Sequence, residues 1–520
     1  MTTCTRKFPV AWPLAICLLL PTLTRGETTV QAWAQRYHGP GSGTDSAVAV
    51  ATDSSNSVIV TGYSDGGGST YDYATIKYSS AGAPLWTNRY NGPANTVDIA
   101  QAVTLDSSNN VIVTGYSAGV DSYYDYATVL YSSTGVPVWT NRYNGPGNDY
   151  DEATAVAVDA SNNVIVSGYS TGSGSLADYA TIMYSSAGVP LWTNRYNGPG
   201  NGFDEVTAVA VDGSNNIIVT GSSYGSGSSY DYATIKYSKA GAPLWTNRYN
   251  GPGNYDDQAR GLVIDGSNNV IVAGYSIGNG SYYDYATIKY SSAGVPLWTN
   301  RYNGPGKTND YAFAVAVDGS NNVVVTGYST GTGGYYDYAT IKYSSAGVPL
   351  WTNRYSGPAP GNNYAYAVGV DSSNNVYVTG GAAGSGSAYD YATIKYSSAG
   401  APIWTNRYTA PGNGGEGASA LVADHGGSVL VTGSSGSDYA TVKYLLFTPP
   451  VLSGLNWTNG AFQMRVDNVL QPGTLVIEAS TGLASWAPVF TNTTPTNVLF
   501  YTDLQSVGFP RRFYRAFQSP

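Results

Sequence analysis

Cysteine is almost missing from this 520-residue chain: the 2 present, Cys4 and Cys17, both lie near the N-terminus. Beyond them no disulfide framework, thiolate metal site or thiol nucleophile is possible, so stability must come from packing and strand pairing. Histidine is equally scarce, with His38 and His425 at unrelated points, so no histidine-based triad or metal cluster is visible. Charged residues make up only 11% of the chain, but 42% hydrophobic residues still describe a globular protein rather than a disordered one. Long apolar runs are missing as well. The run from Val10 to Leu20 is too short, and too interrupted by Pro13, to cross a bilayer, and no later segment reaches the ~20 apolar residues a span requires. The mature chain is therefore expected to contain no membrane span.

Arg6 and Lys7 precede that run, and the small residues Thr24 and Gly26 follow it, the pattern of a secretory signal peptide over residues 1–26. Ile16 stands before Cys17 where a lipobox requires a small residue. The expectation is a secreted protein, extracellular or at the cell surface, with the periplasm as the alternative. The formal charge of −9 argues against a nucleic-acid partner.

With 64 Gly and 47 Tyr against 3 Met, the composition favours turns and aromatic strands over helices. Tryptophans stand at 33, 86, 139, 192, 245, 298, 351 and 404, every interval being 53 residues. Each unit reads as four short strands separated by Asn/Gly/Ser/Pro turns, as in DEATAVAVD, VIVSGYS, DYATIMYS and VPLWTNRY, which is the content of one propeller blade. The mature chain opens on a lone fourth strand around Trp33, and the repeats stop after a lone third strand, SDYATVKY. The two fragments complement each other. The spacing thus predicts an all-β fold: an eight-bladed β-propeller over 27–445 closed by the N-terminal strand. From 446 to 520 the period vanishes, and strands such as TLVIEAS and WAPVFTN predict a small C-terminal β-sandwich.

The segments DSSNNVIVTGYS and YDYATIKYSSAG, recurring through the chain, resemble the bacterial β-propeller repeat (SBBP-like) family, which implies a propeller but no common activity. The stretch Gly82 to Trp86 (GAPLW) is similar to the blade motif of pyrroloquinoline-quinone dehydrogenases, but their vicinal cysteine pair is missing and no cofactor is carried over. The C-terminal segment resembles the immunoglobulin- or fibronectin-like domains of some large secreted bacterial proteins, and its Arg511, Arg512 and Arg515 offer either an attachment surface or a solvated edge.

Residues present in every copy build the blade. The aspartates at 53, 106, 159, 212, 265, 318, 371 and 424 open Asn-containing turns, and those of each DYAT strand face the WTNRY arginines as one ion pair per blade. Another acidic column, Asp45, Asp98, Asp151, Asp204, Asp257 and Asp310, continued as Asn363 and Glu416, precedes each first strand. It either caps a turn or rings the channel mouth, where Ca²⁺ would neutralise it. The loops after strands two and four share one face and differ between copies. There Tyr123, Tyr124, Tyr282, Tyr283, Tyr335 and Tyr336 resemble surfaces that bind sugars or peptides, with a polysaccharide or a surface protein as partner. Asp149, Glu152, Glu205 and Asp256 could supply the paired carboxylates of a carbohydrate-active hydrolase or lyase. Binding protein, architectural scaffold and enzyme are the three classes left open.

Overall fold

Runs of Val, Ile, Thr and Tyr between Asn and Gly turns can satisfy their backbone groups only by pairing with one another. In the computed structural model they do so in repeated four-stranded sheets, and the fold is a β-propeller. The structure describes residues 28–519 except 281, 387–388, 412–413, 425, 448–449, 459–460, 468, 470–473, 483–484, 494–495, 497, 507–508 and 510–511. The expected signal peptide and His425 lie outside the described residues. Among the described residues no helix is long and apolar enough to cross a membrane.

Eight four-stranded antiparallel sheets are present among the described residues. The first runs through Ser46–Thr52, Val58–Asp65, Tyr71–Tyr78 and Pro84–Tyr90 in spatial order. The first strands of neighbouring sheets approach within 8 Å between Cα atoms, so these strands are innermost. The eighth sheet joins Glu416–Ala423, Val429–Ser435 and Asp438–Phe447 to an outer strand from the other end of the chain, Thr28–Tyr37.

The turn between first and second strands explains its asparagines. Asn109 adopts φ of 60°, a left-handed conformation asparagine tolerates, while Asp106 Oδ1 accepts the N–H groups of Ser108 and Asn110.

Neighbouring sheets are joined the same way around the ring. The buried Tyr73 donates its hydroxyl to the carbonyl of Ala127 in the next sheet at 3.0 Å, Tyr126 to that of Ala180 at 3.1 Å, and so on until Tyr439 donates back to Ala74 at 3.1 Å. Each such bond contributes about 1 kcal/mol. Ala47, Val58, Val60 and Ile76 of the first sheet share a core with Leu430 and Tyr439 of the eighth. Trp33 donates its indole N–H to Ser80 O across the same junction, and Gly82, with φ of 87°, lies under the indole where a Cβ would come within 2.8 Å of it.

Within each sheet an arginine of the outer strand meets an aspartate of the third. Arg89 and Asp72 are 2.8 Å apart, and Arg36 of the N-terminal strand meets Asp438 at 2.7 Å. A second ionic series, unexpected from the sequence, is buried: Lys77, Lys236, Lys289 and Lys342 each lie within 2.8 Å of the turn aspartates Asp53, Asp212, Asp265 and Asp318.

The chain divides into two compact units, Trp33–Tyr444 and the remainder. After residue 450 two three-stranded sheets, Val451–Thr458 with Ala461–Asp467 and Leu499–Asp503, and Ala487–Asn492 with Thr474–Ser480 and Phe513–Ser519, share the apolar core of Met464, Val466, Leu475 and Ile477. Arg512 pairs with Asp503 at 2.8 Å and Arg515 with Glu478 at 2.6 Å, while Arg511 is outside the described residues.

Candidate functional site

The loops after the second and fourth strands do meet on one face, as where Gly147 donates its N–H to Thr171 O and Asn148 donates its amide to Asp121 O. The six loop tyrosines divide between two environments. Tyr123, Tyr282 and Tyr335 are exposed at 62%, 60% and 49%, and Tyr123 stacks on Tyr150 at 4.9 Å. Tyr124, Tyr283 and Tyr336 begin the third strands and are half-buried. Tyr283 and Tyr336 are brought together through Tyr311, at 5.3 and 6.2 Å, whereas Tyr124 packs separately on Tyr116 and Tyr150.

A larger array lies behind them. Every inner strand carries a β-bulge after the position of Ala153, held by Val206 in the fourth sheet, so Thr154, Thr207, Arg260, Phe313 and Tyr366 drop out of the paired register in successive sheets. A bulge re-aims a side chain. In the fifth to seventh sheets, aromatic side chains at the bulge, two places before it, on the second strand and at the start of the third strand form one continuous array of nine rings. Tyr275, Tyr283, Tyr311, Phe313, Tyr328, Tyr336, Tyr364, Tyr366 and Tyr389 are linked by centroid distances of at most 6.4 Å. Arg260 edges it, its guanidinium 5.4 Å from the centre of Tyr275 and 5.9 Å from that of Phe313, while donating to Gln258 Oε1 at 2.7 Å and the Tyr275 hydroxyl at 2.8 Å.

The third and fourth sheets carry acids at the position where the sixth and seventh carry Tyr311 and Tyr364. Burial pushes the half-buried Glu152 carboxyl up, the Tyr169 hydroxyl bonded to it opposes this, and the nearby Glu205 charge adds to the rise. Burial also raises Glu205, against the opposing attraction of Arg260. Ser222 is paired opposite Glu205 where Tyr169 is paired opposite Glu152. This inner-strand column is therefore acidic in the third and fourth sheets and aromatic in the sixth and seventh, with Arg260 of the fifth sheet between them.

The acidic column occupies different ground. Asp45, Asp98, Asp151, Asp204, Asp257 and Asp310 are 0–1% exposed, and Asn363 and Glu416 are also buried. Asp151 shows the pattern, its Oδ2 accepting the Gly145 N–H at 2.6 Å and its Oδ1 the Thr171 N–H at 3.2 Å. The six aspartates each accept the N–H of the glycine six places earlier, capping the loop before their own strand. Of the remaining loop acids, Asp256 accepts the hydroxyls of Ser229 and Tyr283, tying adjacent loops together, and Asp149 is half-buried beside Tyr150.

Tyr311, Phe313, Tyr328, Tyr364, Tyr366 and Arg260 were not among the residues singled out from the sequence. Their signal was present: in a near-perfect repeat the column Ser46, Ile99, Glu152, Glu205, Gln258, Tyr311, Tyr364, Gly417 never settles on one residue type.

No protein-family model matches the chain. An uncharacterized WD repeat-containing protein of Acanthamoeba polyphaga mimivirus is 24% identical over an alignment covering 55% of this chain, and the chain spans 29% of that protein's length. Similar solved structures include a eukaryotic initiation factor, with 8% identity, 70% of this chain and 88% of that one covered, and a TM-score of 0.37. Drosophila Plexin A in complex with Semaphorin 1b shows 8% identity, 80% and 87% coverage, and a TM-score of 0.38. A glucose dehydrogenase shows 9% identity, 56% and 94% coverage, and a TM-score of 0.32. Likenesses of this degree say nothing about activity. What the sheets and the relative together define is a repeat β-propeller.

Proposed function

We propose that this is a secreted or cell-surface binding protein, an eight-bladed propeller closed by its N-terminal strand and followed by a small β-sandwich, which holds a neutral glycan against the aromatic half of its loop face. Tyr311, Phe313, Tyr364 and Tyr366 carry this reading, because a blade needs none of those departures from the repeat and they join five rings of repeated columns into one array. Pyranose C–H faces stack on such rings for about 1 kcal/mol each, and Arg260, Gln258 and the two glutamates supply donors and acceptors for hydroxyls. The exposed Tyr123, Tyr282 and Tyr335 extend the surface outward and would add avidity toward a polymer.

The test is retention of the mature chain on insoluble polysaccharides and on glycan and peptide arrays, beside a Phe313→Ser/Tyr366→Ser variant. Wild-type retention on a glycan, lost in a variant with an unchanged circular dichroism spectrum, is the expected result. Capture of peptides alone, undiminished retention by the folded variant, or no retention on any glycan refutes the glycan reading and favours a peptide site or a scaffold. Glu152 and Glu205, on neighbouring inner strands and both raised by burial, support a second reading as a carbohydrate-active hydrolase or lyase. Product release from a retained glycan that stops in Glu205→Gln favours it, and an intact glycan excludes it.

A further inference from the structure

The seam where the two ends of the chain meet carries one side chain that no other copy repeats. His38 follows the N-terminal strand at the place held elsewhere by Asn91, Asn144, Asn197, Asn250, Asn303, Ser356 and Thr409. In the eighth sheet the loop between second and third strands shrinks to Gly436 and Ser437. Asp438 therefore lacks the loop serine its counterparts have, such as Ser69, which donates to Asp72 at 2.5 Å, and Ser122, which donates to Asp125 at 2.6 Å. The imidazole fills that place. His38 Nδ1 lies 2.9 Å from Asp438 Oδ1 and 3.6 Å from Asp45 Oδ2, and the three donor atoms lie within 4.8 Å of one another.

We propose that His38, Asp45 and Asp438 bind a divalent transition-metal ion, zinc being the best fit, which clasps the ring shut. The three ligands come from separate stretches: the exit of the N-terminal strand, the start of the first sheet's inner strand, and the start of the last repeat strand. An ion held by all three ties the first sheet to the eighth at the junction where the chain closes on itself. Separations of 2.9 and 3.6 Å bracket the edge of a tetrahedron drawn with zinc–nitrogen and zinc–oxygen bonds of about 2.0–2.1 Å. An imidazole in the set selects zinc, copper or nickel over calcium or magnesium, which prefer oxygen alone.

The surroundings orient the ligands. Arg36 holds Asp438 through Oδ2 at 2.7 Å and leaves Oδ1 toward the imidazole, while the Gly39 N–H fixes Asp45 Oδ2 at 2.7 Å. Asp45 in turn donates its backbone N–H to Ser437 O at 2.7 Å, pinning the short loop to the first inner strand. Asp45 is buried, but the His38 side chain is 56% exposed, so an ion has a route in and water can complete its coordination.

The experiment uses the full mature chain stripped with a chelator, beside His38→Asn, which installs the residue most other copies carry. Zinc is titrated by calorimetry, thermal melting is followed with and without the ion, and cobalt(II) is added as a spectroscopic probe. The expected result is one zinc per wild-type chain, a cobalt spectrum of tetrahedral intensity, and a melting temperature raised by about 2 °C or more at a hundredfold excess over Kd. All three should vanish in His38→Asn. Equal uptake and equal stabilisation in the two proteins would place the ion elsewhere and overturn the assignment. No uptake by the wild type at millimolar zinc would overturn it too, leaving the trio a hydrogen-bonded seam.

Discussion

Replacing Lys342 by methionine should destabilise the propeller far less than replacing its partner Asp318 by alanine. The two form a buried pair at 2.8 Å with side chains 2% and 1% exposed, and Lys342 also donates to Ser398 O of the next sheet at 3.2 Å. Breaking a buried pair from one side costs about 3–5 kcal/mol when it strands the other charge. Asp318 is not stranded by loss of the lysine, since it keeps the N–H groups of Ser320 at 2.8 Å and Asn322 at 2.9 Å and the Asn322 amide at 2.9 Å. The third sheet carries the same arrangement naturally: Met183 stands in the lysine's column, and Asp159 accepts the equivalent three donors at 2.8 Å. Lys342→Met should therefore cost about 1–2 kcal/mol. Asp318→Ala removes all three caps and leaves an ammonium buried against a carbonyl, for about 4 kcal/mol. Urea midpoints of the mature chain measure both. The lysine and the caps outweigh burial and hold Asp318 below the usual carboxylate value, so its contribution is present above the unfolded pKa and lost as pH falls through the folded one. The gap between wild type and Lys342→Met should hold from about pH 5 to 8 and close below about pH 4. Equal losses in the two variants, or a gap indifferent to acid, would refute the asymmetry.

Two further outcomes follow from ring closure and from packing between sheets. Removing residues up to 37 takes away the outer strand of the eighth sheet and the Arg36–Asp438 pair, so it should lower the melting temperature much more than ending the chain at Tyr444; equal melts would contradict closure by that strand. Gly400→Ala puts a Cβ 2.6 Å from the Trp351 ring at φ of 87° and should cost at least about 2 kcal/mol by thermal unfolding, whereas Gly333→Ala, with nothing within 4 Å, should be nearly neutral.

Exact repetition made the architecture legible, because eight tryptophans at one spacing and two complementary end fragments leave few ways to pair the strands. It was less informative wherever a side chain's role depends on the neighbouring sheet. A lysine in DYATIKY reads as a solvated strand residue, yet the third strand is covered on both faces by adjacent sheets, and Lys395 is 0% exposed. The acidic column was open to two readings for a similar reason. One residue of register decides whether Asp151 turns to the axis or into its own sheet, and the Gly145 and Thr171 N–H groups draw it into the sheet. The bulge between Ala153 and Ala155 then sets apart the residues on either side of it. Glu152, Thr154 and their equivalents are released from the demands of blade building, which is why the copies agree at Asp151 and differ immediately beyond it. Loop tips vary because little constrains them. Variation inside a strand, between two framework residues, is harder to explain without a ligand, and it puts Glu205, Arg260 and Phe313 ahead of the exposed tyrosines as the first residues to mutate.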